Sequence, residues 1–399
     1  GIEPRPRLRH GSIDPWPKAG LPGISSELGR MTTILRAVGD ILMGLEPPVW
    51  DDPRFAALTD LMGSADLAFG NMEAPMTDSG LPLSKLDLAR ADTVRADDLK
   101  RIGFNVVSLA NNHITDYGRK GLESTLETLN RVGIAHCGAG LEVSQAFAPV
   151  FIESAGVRFA FVAFHAFYFP GGEHYTDVIQ AELEVPGAAV IRGFQVRVPD
   201  GRDGQVVVAP EERFLQMLLQ SIRVAKEQSD YVVVSMHSHF GMDCATNVDP
   251  ARTMIAHAAV DAGANLIVGH GPHALNGIEY YGGAFIAHSL GNFFFYQAPD
   301  EVGRLFFPDA QRIFGTYAAN ERYWQAALLE ADFSNGAPSE IVLHPMQITP
   351  DPPCEGMPQL ANQQQAEAIF KSIAEQSREM NVNLRQGEDG RMVVTPANP

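Results

Sequence analysis

The chain has 399 residues with 48 acidic and 30 basic side chains, which give a formal net charge of −18 at pH 7. This acidity disfavours nucleic-acid binding, three widely separated cysteines argue against a disulfide scaffold, and no apolar run is long enough for a transmembrane helix. We therefore expect a soluble, cytoplasmic protein of one or two domains that acts on a small molecule. Its oligomeric state stays open.

The N-terminal third alternates between strand and helix patterns. Residues 1–31 are rich in proline, glycine and arginine, which predicts an extended arm, and a single domain is predicted over residues 32–348. Its first elements are strands at residues 32–39, 66–69 and 106–110 and helices at residues 51–62, 96–102 and 118–132.

The remaining chain adds antiparallel hairpins to this alternation. An irregular insertion is predicted at residues 165–210, and residues 349–399 are predicted to form a C-terminal helix and tail packed on the domain. Hairpins are predicted at residues 150–164, 194–208 and 278–288, buried strands at 231–236 and 265–268, and two further strands at 324–333 and 340–348. This pattern indicates an α/β protein with mixed sheets.

Five predicted strands end at side chains that can bind a metal ion. These side chains are Asp40; Asn71 and Glu73; Asn112 and His113; His237 and His239; His270 and His273. Each alone is compatible with a turn cap or a hydrogen-bonded core residue, but all share one topological position, outside the carboxyl ends of strands. Carboxylate, amide and imidazole groups together suit one or two divalent ions such as Mn, Fe, Zn or Co.

Together, these segments resemble the CapA family of poly-γ-glutamate capsule-synthesis proteins, within the calcineurin-like metallophosphoesterase superfamily. The resemblance spans residues 32–296 and is carried by residues 39–40, 71–73, 109–113, 269–273 and 289–293 and by the strand end near His237. It implies a four-layer α/β/β/α sandwich of the metallo-dependent phosphatase type with a dinuclear metal centre.

The resemblance also implies roles for individual residues. The implied metal ligands are Asp40, Glu73, Asn112, His237, His270 and His273, and the implied catalytic residues are His113, His239 and Asn111. Glu73 would bridge two ions, Asp40 would bind one of them, and Asn112 the other. His113 would act on the leaving group.

The sequence departs from the superfamily pattern at three places. Position 42, where the superfamily usually has histidine, is Leu42, so a single ion is an alternative to two. His270 and His273 are three residues apart rather than two, as is usual among CapA relatives. The family's usual His-Trp-Gly is replaced by residues 237–241, so either His237 or His239 could be the ligand. Strand register favours His237, because it is the first residue past the strand at residues 232–236, whereas the Phe-Gly match that follows favours His239.

The expected activity is that of a metal-dependent hydrolase acting on a small phosphoester or an amide of γ-glutamyl type. The alternative is a non-catalytic accessory protein for the synthesis of poly-γ-glutamate or a capsule polymer. Aromatic and histidine residues in the insertion predict a lid that favours a small, partly apolar substrate. These residues are His165, Phe167, Tyr168, Phe169 and His174.

Overall fold

The computed structural model describes most of the chain downstream of the predicted arm. The described residues are 33–44, 46–47, 50–83, 88–168, 179–182, 184–198, 205–239, 248–296, 320–333, 338, 340–350 and 356–397. The arm predicted at residues 1–31 lies outside them, as do Phe169 and His174 of the predicted lid. Among the described helices, none is both long and apolar enough to cross a lipid bilayer.

The described residues form strands and helices that alternate through the first two thirds of the chain. The strands are β1 (Ile34–Met43), β2 (Leu67–Met72), β3 (Val106–Ser108), β4 (Ala135–Cys137), β5 (Ala139–Gly140), β6 (Val150–Ser154), β7 (Val157–Tyr168), β8 (Gly187–Ala188), β9 (Val190–Val198), β10 (Gln205–Pro210), β11 (Tyr231–His237), β12 (Leu266–His270), β13 (Ile278–Tyr281), β14 (Ala284–Ala287), β15 (Asn292–Tyr296), β16 (Gln325–Asp332), β17 (Glu340–Ile348), β18 (Pro358–Leu360), β19 (Val382–Gln386) and β20 (Met392–Pro396). The α-helices are α1 (Pro53–Gly63), α2 (Arg95–Ile102), α3 (Gly118–Val132), α4 (Val143–Ala146), α5 (Glu212–Gln228), α6 (Pro250–Asp261) and α7 (Gln363–Gln376).

Two large mixed sheets carry nearly all of these strands. The first sheet has the order β19-β20-β17-β16-β1-β2-β3-β4, with β15 also paired to β1 and β18 to β17. Strands β1 to β4 and β15 run parallel in it. The second sheet has the order β10-β9-β7-β11-β12-β14-β13, with β6 also paired to β7, and its central strands β7, β11, β12 and β14 are parallel. Strands β5 and β8 form a separate pair.

Apolar side chains on the sheet faces pack into three clusters. One cluster joins the first sheet to α1, α2 and α3 and includes Leu58, Leu99 and Leu129. The second joins the two sheets directly, and in it Phe69 stacks on Phe161 with ring centroids 5.5 Å apart. The third joins the second sheet to α5 and α6. Successive side chains of a strand point to opposite faces, so the central strands supply the clusters on both sides of their sheet.

The predicted mixed α/β class is confirmed, and so are the three predicted hairpins, which are the antiparallel pairs β6–β7, β9–β10 and β13–β14. Outside its predicted hairpin, the stretch predicted to be irregular at residues 165–210 also contains strand at residues 165–168 and 190–193. Strand β7 continues to Tyr168, and β9 pairs with it in parallel. The backbone hydrogen bonds between β7 and β9 join distant segments of the chain, so the local sequence does not predict them. Strand β19 was not predicted, because it is only five residues long and has just two apolar side chains, Val382 and Leu384, both only partly buried.

Candidate metal centre

The candidate site lies where the inner faces of the two sheets change from apolar to polar side chains. On β2, Phe69 belongs to the inter-sheet cluster, and Asn71 follows it on the same face two residues later. On the second sheet, His237 is paired in register with both His165 and His270. Three imidazoles therefore stand in a row at the carboxyl ends of neighbouring parallel strands.

Asp40, Glu73 and His237 form one group of candidate ligands, and all three side chains are completely buried. His237 Nε2 lies 3.3 Å from Glu73 Oε1, and His237 Nδ1 lies 3.6 Å from Asp40 Oδ1. One donor atom from each residue lies within 4.8 Å of the others. This spacing suits an ion whose bonds to nitrogen and oxygen are about 2.0–2.2 Å long.

Glu73, His239 and His273 form a second group. Glu73 Oε1 lies 3.6 Å from His239 Nε2 and 3.8 Å from His273 Nε2. Glu73 thus belongs to both groups, and a carboxylate has two oxygens with which it can bridge two ions. The arrangement has enough donors for either one or two ions.

His237 and His239, between which the sequence did not decide, both lie close to the side chain of Asn112. Its Oδ1 atom lies 2.9 Å from His237 Nε2 and 3.2 Å from His239 Nε2. Since both imidazoles also approach Glu73 Oε1, they share two neighbouring oxygen atoms. The difference between them is burial, because His237 is fully buried whereas 12% of the His239 side chain is exposed.

His270 tests whether this donor set fits a metal ion. It is fully buried, and neither of its ring nitrogens has a hydrogen-bond partner among the described residues. A buried polar group left without a partner costs about 1–3 kcal/mol. A divalent ion bound beside Asp40 and His237 would give that imidazole a partner, so the residues present fit such an ion.

Burial lowers the pKa of three site histidines, because an imidazolium loses its hydration inside the protein. The pKa of His237 falls to about 4 and that of His270 to about 3, and the pKa of His239 falls well below its ordinary value. For His237, the hydrogen bond and charge of Asp40 oppose burial without reversing its effect. The three imidazoles are therefore neutral at pH 7, the state in which histidine binds metals.

Asp40 is held as an anion by a relay of amide groups. Asn71 Nδ2 donates to Asp40 Oδ1 at 2.8 Å, and the Gly271 amide donates to Asp40 Oδ2 at 3.0 Å. Burial raises the pKa of Asp40, but the close approach of His237, and of the other imidazoles when they are protonated, outweighs burial and holds that pKa well below its usual range. At pH 7 an ionised carboxylate thus lies beside neutral imidazoles.

Backbone hydrogen bonds fix which atom of each amide in this relay donates and which accepts. Asn111 Oδ1 accepts from the amides of His113 and Ile114, at 3.1 and 3.0 Å. Asn111 Nδ2 therefore donates, to Met72 O at 2.9 Å and to Asn71 Oδ1 at 3.1 Å. Asn71 must in turn direct its own Nδ2 towards Asp40. Asn111, predicted to be catalytic, is fully buried in this relay and orients the turn that carries His113.

His113 makes a short hydrogen bond to a carboxylate that sequence analysis did not select. His113 Nδ1 lies 2.6 Å from Asp116 Oδ2, and both side chains are buried. The same oxygen accepts from the Ala89 amide at 2.7 Å. The only sequence signal for this pair is the spacing of three residues within one turn.

Asn292 fixes the tautomer of His273. Asn292 Nδ2 donates to the carbonyl oxygens of His273 and Tyr323, both at 3.2 Å, so its Oδ1 accepts from His273 Nδ1 at 2.9 Å. The proton of neutral His273 then sits on Nδ1, and Nε2, the nitrogen nearer Glu73, carries the lone pair. His273 also has a φ of +55°, a strained conformation typical of functional positions.

Two other positions clarify the sequence predictions. His165, predicted to belong to a lid, is buried at the end of β7, and its ring centroid lies 5.3 Å from that of His237. Its place after an apolar run is the same signal that marked the other strand ends. Leu42, at the position of the superfamily histidine, is buried in the cluster that joins the first sheet to its helices.

The site draws different donors from the two sheets. The carboxylates of Asp40 and Glu73 and the amide of Asn112 come from the first sheet, whereas the imidazoles come from strand ends of the second. Asp40 lies within β1, which continues to Met43 past its predicted end at residue 39, and the other two follow β2 and β3. The structure thus brings together Asp40, Glu73, Asn112, His237, His239 and His273 through direct contacts. His270 lies in register beside His237.

Comparison with known proteins gives consistent matches over this region. Residues 34–297 match the family described as Bacterial capsule synthesis protein PGA_cap. Uncharacterized protein y4sH of Sinorhizobium fredii is 26% identical over 406 residues, which cover 84% of this chain and 87% of that protein.

Two relatives carry functional names. Capsule biosynthesis protein CapA of Bacillus anthracis is 31% identical over 279 residues, or 65% of this chain and 59% of that protein. A Probable polyglutamine synthesis accessory protein of Mycobacterium tuberculosis is 28% identical over 250 residues, or 62% of this chain and 60% of that protein.

Proposed function

The chain belongs to the family Bacterial capsule synthesis protein PGA_cap, and from this premise we propose that it is a metal-dependent hydrolase. The observation that carries the proposal is the sharing of Glu73 by two groups of buried ligands. A purely structural core has no use for an ionised Asp40 beside neutral imidazoles, because burying a carboxylate without a cation is costly. The three apolar clusters further support a four-layer α/β/β/α arrangement around this site.

Several side chains would hold the ion or ions. Asp40, Glu73 and His237 would hold one, and Glu73, His239 and His273 a second, with Asn112 and His270 completing the set. When bound, Mn, Fe, Zn or Co supplies a Lewis acid that lowers the pKa of water and neutralises developing negative charge. Since Leu42 offers no donor, single-ion binding remains an alternative.

His113 is the residue proposed to exchange a proton with the leaving group. Its Nδ1 atom lies within hydrogen-bond distance of Asp116 Oδ2, which orients the ring. A proton passed to the substrate would therefore leave from Nε2. Asn111 supports the same turn by accepting from the His113 amide.

The proposed substrate is a small phosphoester or an amide of γ-glutamyl type. The candidate ligands are buried, which suits a small group better than a folded polymer. The net charge of −18 also works against binding a long polyanion. Both bond types need an activated water and a stabilised oxyanion, so the same residues serve either.

Metal reconstitution tests this proposal. The protein is stripped with a chelator, reloaded separately with Mn²⁺, Fe²⁺, Zn²⁺ or Co²⁺, and assayed on phosphoesters and γ-glutamyl amides. Reloading should restore hydrolysis in the wild type and in the exposed control Glu153→Gln, but not in the isosteric variant Glu73→Gln. A wild-type protein that neither binds metal nor cleaves any substrate would overturn the proposal.

The names of the Bacillus and Mycobacterium relatives favour a second candidate, an accessory role in making poly-γ-glutamate or a capsule polymer. An accessory protein should bind poly-γ-glutamate without turnover, and Glu73→Gln should leave that binding unchanged. Calorimetry with poly-γ-glutamate, run with and without metal, separates the two candidates.

A further inference from the structure

Arg252 is a buried cation beneath the candidate metal centre. It lies in the first turn of α6, and only 1% of its surface is exposed. Removing a guanidinium from water costs several kcal/mol unless acceptors replace the lost hydration. The acceptors of Arg252 therefore show which parts of the structure its burial holds together.

The guanidinium of Arg252 donates to three main-chain carbonyl oxygens at the ends of three adjacent strands. Its Nη1 atom donates to Ser238 O at 2.9 Å, and Nη2 donates to His270 O at 3.4 Å and to His288 O. Ser238 follows β11, His270 ends β12 and His288 follows β14, and these strands lie side by side in that order. The ladder between β12 and β14 stops before these residues, so Arg252 joins those two strands where their own pairing has ended. Strands β11 and β12 still pair there, since the Ser238 amide donates to His270 O at 3.0 Å.

Two glycines allow the three carbonyls to converge. A Cβ atom on Gly269 would lie 2.0 Å from His288 O, and a Cβ atom on Gly271 would lie 2.5 Å from Ser238 O. Gly271 also has a φ of +108°, which side-chain-bearing residues rarely adopt. Only glycine on both sides of His270 lets the backbones approach closely enough to share one guanidinium.

We propose that Arg252 is a positioning residue for the candidate metal centre, which sets the spacing of the strand ends that present the imidazoles. Ser238 lies between His237 and His239, and His270 is itself a candidate ligand. A shift of the Ser238 or His270 carbonyl would therefore move the donor nitrogen of a candidate ligand. This inference rests on the proposed function, because it requires that a metal ion binds at these residues.

Measuring metal affinity distinguishes a positioning role of Arg252 from a role only in stabilising the fold. Chelator-treated wild type, Arg252→Met and Arg36→Met are titrated with Zn²⁺ and with Mn²⁺ in a calorimeter, and their thermal unfolding is recorded without metal. Arg36 is the matched control, since it is also largely buried and donates to Ser64, Glu330 and a main-chain carbonyl, all outside the candidate centre. Both variants should unfold at lower temperature. Only Arg252→Met should lose metal affinity, by about 10–100-fold.

Arg252→Lys keeps the test valid if Arg252→Met does not fold. Lysine retains the positive charge but lacks the planar fork that reaches three carbonyls together. We expect Arg252→Lys to remain folded by circular dichroism and to bind metal more weakly than the wild type. Wild-type affinity in Arg252→Lys, or in folded Arg252→Met, would overturn the positioning role alone. A wild-type protein that binds neither metal would overturn the proposed function as well.

Discussion

His113 and Asp116, three residues apart in one turn, are joined by a hydrogen bond of 2.6 Å between Nδ1 and Oδ2. The Ala89 amide donates to the same Asp116 oxygen, so the carboxylate cannot rotate away without losing a second partner. The His113 ring is thereby fixed in one orientation.

Replacement of Asp116 by asparagine should slow turnover without removing metal. Asparagine can still accept from the Ala89 amide, but it cannot stabilise a protonated His113. We expect kcat to fall by about 10²–10⁴-fold, the range typical of a lost general acid or base. Steady-state kinetics and metal content, measured on Asp116→Asn and His113→Ala, check this. Loss of metal from either variant would show that the pair supports metal binding directly.

Glu73→Gln should lose most of its bound metal, because the amide that replaces the shared carboxylate carries no charge. Glu73→Asp keeps the charge but shortens the side chain, and we expect it to retain one ion more weakly. Elemental analysis after dialysis gives the ratio of metal to protein for each variant. Equal ratios in wild type and Glu73→Gln would contradict the shared-ligand arrangement.

His237 and His239 should differ in their effect on metal retention. The fully buried His237 contacts Asp40, Glu73 and Asn112, whereas His239 is partly exposed at the edge of the site. We expect His237→Ala to lose metal and His239→Ala to keep most of it while turning over more slowly. The reverse pattern in metal analysis would assign His239 as the stronger ligand.

Gly39→Ala should destabilise the protein at the strand end that carries Asp40. An added Cβ atom would lie 1.7 Å from Gly291 O, where β1 approaches the segment leading into β15. The Asp40 amide donates to that same oxygen at 3.0 Å. We expect a loss of about 1–3 kcal/mol in the free energy of unfolding, as for other overpacked sites. Urea unfolding measures it, with Gly63→Ala as the comparison, because an added Cβ atom there would meet no atom closer than 3.9 Å.

Glu330 should give a pH-dependent contribution to stability. Its hydrogen bond with His344 and its ion pair with Arg36, opposed by burial, lower its pKa from 4.5 to about 2. A carboxyl group with a lower pKa in the folded protein than in the unfolded chain stabilises the folded protein at any pH above the unfolded-chain pKa. That stabilisation is lost as the pH falls through the folded-state pKa. The difference in urea midpoint between wild type and Glu330→Gln should therefore be largest at pH 7 and shrink between about pH 4.5 and 2. A constant difference across that range would contradict this account.

The convergence of the candidate ligands could be predicted because each follows an apolar run at a strand end. The partner of His113 could not, since Asp116 lies in a turn where an acidic residue is common. Arg252 was equally hidden, because an arginine in the first turn of a helix ordinarily faces solvent. The insertion of β15 beside β1 and the pairing of β9 with β7 depend on contacts between distant segments, which periodicity does not encode.

The division of donors between the two sheets has a consequence for synthesis of the chain. A ribosome releases Asp40, Glu73 and Asn112 well before His270 and His273, so a nascent chain shows oxygen donors without their imidazole partners. The first sheet cannot be completed early either, because β15 and β16, the neighbours of β1, are translated late. Metal capture at the proposed centre would therefore follow release of the C-terminal strands, rather than template the growing N-terminal half.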